Sequence, residues 1–179
     1  INPSAQIVDI SHDVPGRSIS SGAYLLASCF RFFPRGTVHV AVIDPTVGSN
    51  RKLICVQAGG FYFLSPDNGL LSLVEDNVKI ERIVELTGKK FFLKSVSKTF
   101  HGRDILAPIA AYLSKGRRIE DFGRRISAIK RLDFLKPAIS KNNTLKGKVI
   151  HIDGFGNLIT NISKDIFNNF KRGGKGFEG

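Results

Sequence analysis

The chain has 179 residues, 42% of them hydrophobic and 23% charged, enough to build one domain, or one with a smaller appendage. No apolar run reaches the ~20 residues of a membrane helix and no amino-terminal stretch reads as a signal peptide, so no membrane partner and a cytoplasmic location are expected. A net charge of +12 brings nucleic acid into consideration. However, Lys and Arg are scattered, and the local clusters at 115–118, 124–131 and 171–175 lack interleaved stacking aromatics, Phe122 being the one ring in the stretch 117–131.

The elements follow in order. Residues 6–10 form a short β-prone run ending in Asp9-Ile10-Ser11-His12. Pro15-Gly16 breaks the chain and Ser18 is placed to cap a helix, with Ile19, Ala23, Leu26, Ala27 and Phe30 at helical spacing across an expected helix at 20–32. Residues 37–43 form a continuous run rich in β-branched residues (Val38, Val40, Val42, Ile43), as a buried parallel strand would be. They run into a polar loop, Asp44-Pro45-Thr46-Val47-Gly48-Ser49-Asn50-Arg51. Two apolar runs at 53–58 and 61–64 flank Gly59-Gly60, a hairpin signal. Pro66-Asp67-Asn68-Gly69 is a turn, and residues 78–86 are a further strand candidate.

Next comes Thr99-Phe100-His101-Gly102-Arg103-Asp104, opening directly into Ile105, Leu106, Ile109, Ala110 and Leu113 at helical spacing. The pattern presents polar side chains at a helix start, and Gly102 lets the backbone come close to whatever His101 addresses. The same pattern also fits a plain helix cap with Arg103 and Asp104 paired across the first turn. Beyond Gly116 the character changes: residues 117–136 are basic and 137–146 polar, and the latter read as a linker. Residues 147–153 and 158–162 are two strands joined through Gly154-Phe155-Gly156-Asn157. The expected organisation is an α/β domain at 1–136, a linker at 137–146 and the start of a β-rich domain at 147–179. The opening Ile, the absence of Met and the basic tail at 171–176 read as the interior of a longer chain.

The two cysteines, Cys29 and Cys55, make no CxxC pair and are expected to be buried free thiols in a reducing compartment. The four histidines show no HxxxH or HExxH spacing, so no metal is expected, and His39 reads as a satisfied core or interface histidine.

Six phrases in this order and spacing resemble one family. They are Asp9-Ile10-Ser11-His12, Phe33-Pro34-Arg35-Gly36-Thr37-Val38-His39, Asp44-Pro45-x-Val47-Gly48-Ser49-x-Arg51, Pro66-Asp67-Asn68-Gly69-Leu70-Leu71, Thr99-Phe100-His101-Gly102-Arg103-Asp104 and Asp153-Gly154-Phe155-Gly156-Asn157-Leu158-Ile159-Thr160-Asn161. Together they are similar to the S-adenosyl-L-methionine (SAM) hydroxide adenosyltransferases, relatives of fluorinase and chlorinase. The resemblance implies an N-terminal α/β domain with a central sheet flanked by helices, followed by a smaller β-barrel-like C-terminal domain, here incomplete. It implies a homotrimer that shares its site between subunits. It also implies hydrolysis of SAM to adenosine and methionine without a cofactor, SAM being the substrate. The family's water-activating Asp, Arg and His fall on Asp44, Arg51 and His101. Phe100 adjoins the nucleoside, Gly102 is a further substrate-binding position, and Asp153, Phe155 and Asn157 surround the adenosyl and methionine parts.

The chemistry of these residue types agrees. A sulfonium leaves as a neutral thioether, so the reaction needs a nucleophile rather than an acid, and His101 is the side chain best suited to take a proton from water at neutral pH. Asp44 would hold the water or the imidazole, and Arg51 would fix Asp44. The halogenating relatives carry an aromatic residue in place of Asp44, a serine in place of Gly102 and no counterpart of His101, which favours water over halide. Thr46 and Lys52 depart from the family's usual residues and are expected not to touch the three. The rival readings are a halide-using or inactive SAM-binding homologue and, from another class, a basic nucleic-acid module built on 117–131.

Overall fold

The computed structural model describes residues 1–133, 136–140 and 143–172, and divides them into two compact units, Ile1–Arg131 and Leu132–Gly179. In the first, strand β1 (Val38–Val40) leads to a hairpin of β2 (Leu53–Ala58) and β3 (Phe61–Pro66), with Leu53 opposite Pro66 and Ala58 opposite Phe61. Strands β4 (Ile80–Leu86) and β5 (Gly123–Arg125) complete a five-stranded sheet in the order β1-β3-β2-β4-β5. The β1–β3 pair is parallel and the remaining pairs are antiparallel.

Both faces of the sheet are covered, which is why β2 reads as a continuous apolar run instead of an alternation. Helix α1 (Ile19–Cys29), a 3₁₀ turn (Phe30–Phe32) and α2 (Ser72–Asn77) supply Leu26, Phe30, Leu71 and Val74 to one face, against Ile54, Val56 and Phe63. Ser18 caps α1 as its sequence position suggests, its hydroxyl accepting from Ser21 N at 3.3 Å. Across the sheet, α3 (Ala107–Leu113) and the turn before it supply Ile105, Leu106, Ile109 and Leu113 against Leu53, Cys55, Leu64 and Val84. Ile109 is fully buried at the centre of that layer, and its truncation to Ala is expected to cost about 2–5 kcal/mol.

Three expectations are corrected. The strand expected at 37–43 is confined to Val38–Val40 and lies at the sheet edge, leaving Val40 and Val42 exposed. Residues 6–10 form no strand, and Ile7 and Val8 are exposed, because no described strand pairs with them. His39 is buried but not satisfied: rings of Phe30, Phe33, Phe61 and Phe63 surround it, Phe63 stacks on it at 5.2 Å, and its Nε2 has no hydrogen-bond partner among the described residues. Burial among those rings lowers its pKa to about 4, because the charged imidazolium is desolvated there.

In the second unit a two-residue ladder, β6 (Ala138–Ile139) against β7 (Leu145–Lys146), forms where the sequence reads as a linker. Strands β8 (Val149–Ile152) and β9 (Leu158–Thr160) pair antiparallel and are followed by α4 (Lys164–Arg172). The basic tail beyond Arg172 lies outside the described residues. Among the described residues no helix is long and apolar enough to cross a membrane.

Candidate active site

The 44–51 loop leaves the end of the β1 segment and is pinned at both ends by one turn. Asn68 Nδ2 donates to Ile43 O at 2.8 Å and Asp67 N donates to Lys52 O at 2.9 Å. Asn68 is itself buried, its Oδ1 accepting from Leu70 N at 3.2 Å. The loop reverses through Gly48, whose φ of +84° is a left-handed conformation that side chains rarely adopt.

The second contributor is His101 at the mouth of α3. A π-helical turn, Gly102–Leu106, closes with Ala107 N donating to Gly102 O and runs straight into the helix. Such turns carry one residue more than an α-turn and recur at functional sites. A Cβ on Gly102 would stand 3.1 Å and 3.2 Å from the two methyls of Val42. Glycine thus lets the backbone next to His101 lie close to the segment that delivers Asp44, where a Cβ would press on Val42.

Arg51 joins the two contributors. Its Nε donates to Asp44 Oδ2 at 2.5 Å, its Nη2 pairs with the same oxygen, and Nη2 also donates to His101 Nδ1 at 2.8 Å. The Asp44 and Arg51 side chains are only 8% and 7% exposed. Guanidinium has no acceptor, so the contact to His101 requires a lone pair on Nδ1, and the neutral imidazole then carries its hydrogen on Nε2. Asp44 Oδ1 is left facing Thr46, whose hydroxyl lies 3.4 Å away, a long donor contact. The expectation that Thr46 stays clear of the three is thus corrected: a side chain replaces glycine next to the carboxylate and reaches it.

Phe100 is exposed beside this group, with the Arg103 guanidinium 4.8 Å above its ring. Asp153, Phe155 and Asn157 form a loop of the second unit. Asp153 Oδ1 accepts from Phe155 N at 2.9 Å and Asn157 N at 2.8 Å, while Oδ2 accepts from Asn157 Nδ2 at 2.7 Å. These bonds, led by the Asn157 amide, hold the Asp153 carboxyl below its ordinary pKa. Phe155 stands at the tip, 95% exposed. Sequence reasoning missed the Asn68 and Asp67 clamps: an Asn-Gly turn is explained locally, and nothing in its spacing says which distant carbonyls it will hold. Among the described residues no group of three or more His, Cys, Asp or Glu is placed to hold a metal ion. His12 pairs with Asp9 at 3.3 Å on the surface.

Comparison with known proteins gives this geometry its context. Residues 1–123 match the model of the SAM hydroxide adenosyltransferase N-terminal domain, and residues 147–178 match that of the C-terminal domain. The chain belongs to the SAM hydroxide adenosyltransferase family. It is 40% identical over 165 residues to the (R)-S-adenosyl-L-methionine hydrolase of Methanocaldococcus jannaschii, covering 92% of this chain and 57% of that protein. It is 35% identical to the Salinispora arenicola protein of the same name, over 87% of this chain and 60% of that one. A fluorinase of an Actinoplanes species is more distant, at 27% identity over 92% of this chain and 64% of the fluorinase. The crystal structure of an uncharacterized conserved protein from Thermotoga maritima superposes with a TM-score of 0.84 at 38% identity, over 95% of this chain and 65% of that one. The chain therefore spans about three fifths of the length of the family members it matches.

Proposed function

We propose that the protein to which this chain belongs hydrolyses S-adenosyl-L-methionine to adenosine and methionine. The observation that carries the reading is the Asp44–Arg51–His101 relay, in which one buried guanidinium holds both a buried carboxylate and a half-buried imidazole. Water attacks C5′ of the adenosyl group, the C5′–S bond breaks, and its electron pair returns to sulfur as the thioether of methionine. One water proton must leave.

In this reading the proton goes to Asp44 and not to His101, and the hydrogen bonding supports that choice. With Arg51 on Nδ1, the neutral imidazole of His101 has no lone pair left to receive it. Asp44 Oδ1 keeps accepting capacity and takes the proton, while the Nε2–H of His101 orients the water oxygen. Arg51 keeps the carboxylate fixed in place until the transfer. Low exposure favours the step further, because hydroxide-like oxygen and sulfonium lose opposite charges as they meet and both gain from poor solvation.

In the second unit the inward-turned carboxylate and amide of Asp153 and Asn157 shape the loop, and the Phe155 ring is the surface offered to the substrate's apolar parts. The homotrimer and the barrel-like closure of the C-terminal domain belong to the same reading and rest on the family likeness. The deciding experiment incubates the full-length protein with SAM, alone and with chloride or fluoride, and separates the products by chromatography. Adenosine and methionine in all arms are expected. A 5′-haloadenosine in the halide arms would replace this reading with halogenation, and unchanged SAM would remove it.

A further inference from the structure

One buried charge takes no part in the relay. Asp104 has no exposed surface, yet it sits in the π-helical turn only three residues after His101. Its Oδ2 accepts from Ser97 N at 2.8 Å, and Arg103 Nε donates to Oδ1 at 2.6 Å. Its backbone is held as well, Asp104 N donating to Phe100 O and Leu93 N donating to Asp104 O, each at 2.9 Å.

Ser97 carries the hold forward. Its hydroxyl accepts from Phe100 N at 2.8 Å and Thr99 N at 3.4 Å, closing the short segment that ends at His101. The same segment runs close to the other contributor: a Cβ, had Gly48 one, would lie 3.4 Å from Lys98 O. Arg103, paired to Asp104, is thereby kept over the Phe100 ring.

We propose that Asp104 is a positioning residue for His101, acting through Ser97 to fix the 97–100 segment so that Nδ1 meets Arg51 and Nε2–H points to the water. The proposal rests on the hydrolase reading for its catalytic consequence but not for its geometry. A carboxylate suits the task because its two oxygens together serve a backbone amide and a guanidinium, Oδ2 also taking a longer bond from Arg103 Nη2 at 3.3 Å, and these bonds are charge-assisted. A neutral residue supplies at most one such acceptor. The charge persists across the working pH range, since Arg103 and the Ser97 amide hold the Asp104 carboxyl down to about 2.

The test uses full-length protein labelled with ¹⁵N-histidine, whose long-range ¹H–¹⁵N correlations report the tautomer of each imidazole. His101→Gln assigns the His101 signal by its disappearance. Wild type is expected to show His101 as the Nε2–H tautomer. In Ser97→Ala and Asp104→Asn the signal should move toward a mixture of tautomers, with His39 unmoved. In the same variants kcat for SAM should fall roughly tenfold to a hundredfold, the loss a displacement of about 1 Å produces, with KM within about twofold. Ser97→Thr, which keeps the accepting hydroxyl, should restore both readouts. Should Asp104→Asn fail to fold, Ser97→Ala decides by the same measurements. A His101 spectrum unchanged in Ser97→Ala overturns the proposal whatever kcat does. Shifted spectra in a protein that leaves SAM intact would uphold the positioning role and remove the hydrolase reading.

Discussion

Asp44 and Asp153 are both carboxylates that follow a strand and open a glycine-containing loop, yet they are engaged differently. Asp44 is held by a residue seven positions away, which in turn holds a histidine fifty positions further on. Asp153 closes on its own loop, bonding Phe155 and Asn157 within four residues. The first arrangement stores long-range order: the groups cannot adopt it unless the sheet, the 66–69 turn and the π-helical turn are all formed. The second is local and stays exposed. Chemistry that depends on alignment to a fraction of an ångström belongs with the first; recognition by an exposed ring on a stiffened turn belongs with the second.

Breaking the long-range arrangement should have the largest effect. Arg51→Met leaves Asp44 buried and unpaired, so unfolding free energy should drop by about 3–5 kcal/mol in denaturant titrations, together with loss of SAM turnover. A variant as stable as wild type would show that the pair is not desolvated.

His101 sharpens the contrast next. His101→Ala should lower kcat by roughly 10²–10⁴. His101→Gln, whose amide can donate near the Nε2 position but cannot act as a base, should recover at least tenfold of that loss. Equal kcat values for Gln and Ala would return the proton to the imidazole. Asp44→Asn, which removes the acceptor, should lose kcat without recovery and combine non-additively with His101→Ala in a double-mutant cycle.

On the local side, Phe155→Ala should raise KM for SAM about tenfold through loss of apolar contact, of the order of one side chain's burial, with kcat changed less than about threefold. Steady-state kinetics on the full-length protein check this. A fall in kcat with constant KM would place the ring in the reacting group instead.

The smallest effect concerns His39. Its pKa is depressed from 6.5 in the unfolded chain to about 4 in the fold, so the unfolded state takes up the proton first. The stability of the neutral form is fully present above pH 6.5 and is lost as pH falls from 6.5 toward 4. His39→Phe should flatten that part of the curve, shifting the difference in melting temperature between neutral and mildly acidic buffer by about 5 °C. Parallel curves for the two proteins would mean that the imidazole protonates without leaving its aromatic box.

The hairpin at Gly59-Gly60, the cap at Ser18 and the stripe from Ile105 to Leu113 were legible because each is set by residues within one or two turns of one another. The edge position of Val38–Val40 was not, since a β-branched run looks the same in the middle of a sheet and at its border. At the site, the motif phrases named Asp44, Arg51 and His101, but which nitrogen of His101 is occupied depends on where Arg51 reaches across fifty residues. Thr46 was misjudged for a similar reason: a substitution beside a motif shows its contact only once the loop has a shape.

The 66–69 turn joins two behaviours that are usually separate in an enzyme loop. Because Asn68 and Asp67 grip both ends of the 44–51 segment, and the turn continues directly from a core strand, the loop cannot open without releasing the end of β3. The two ends of the loop, Ile43 and Lys52, are thereby tied to the stability of the sheet, while its exposed middle, residues 45–50, is held by its own short turns. Opening at Asp44 and Arg51 is thus coupled to the end of a core strand and cannot be a property of the loop alone.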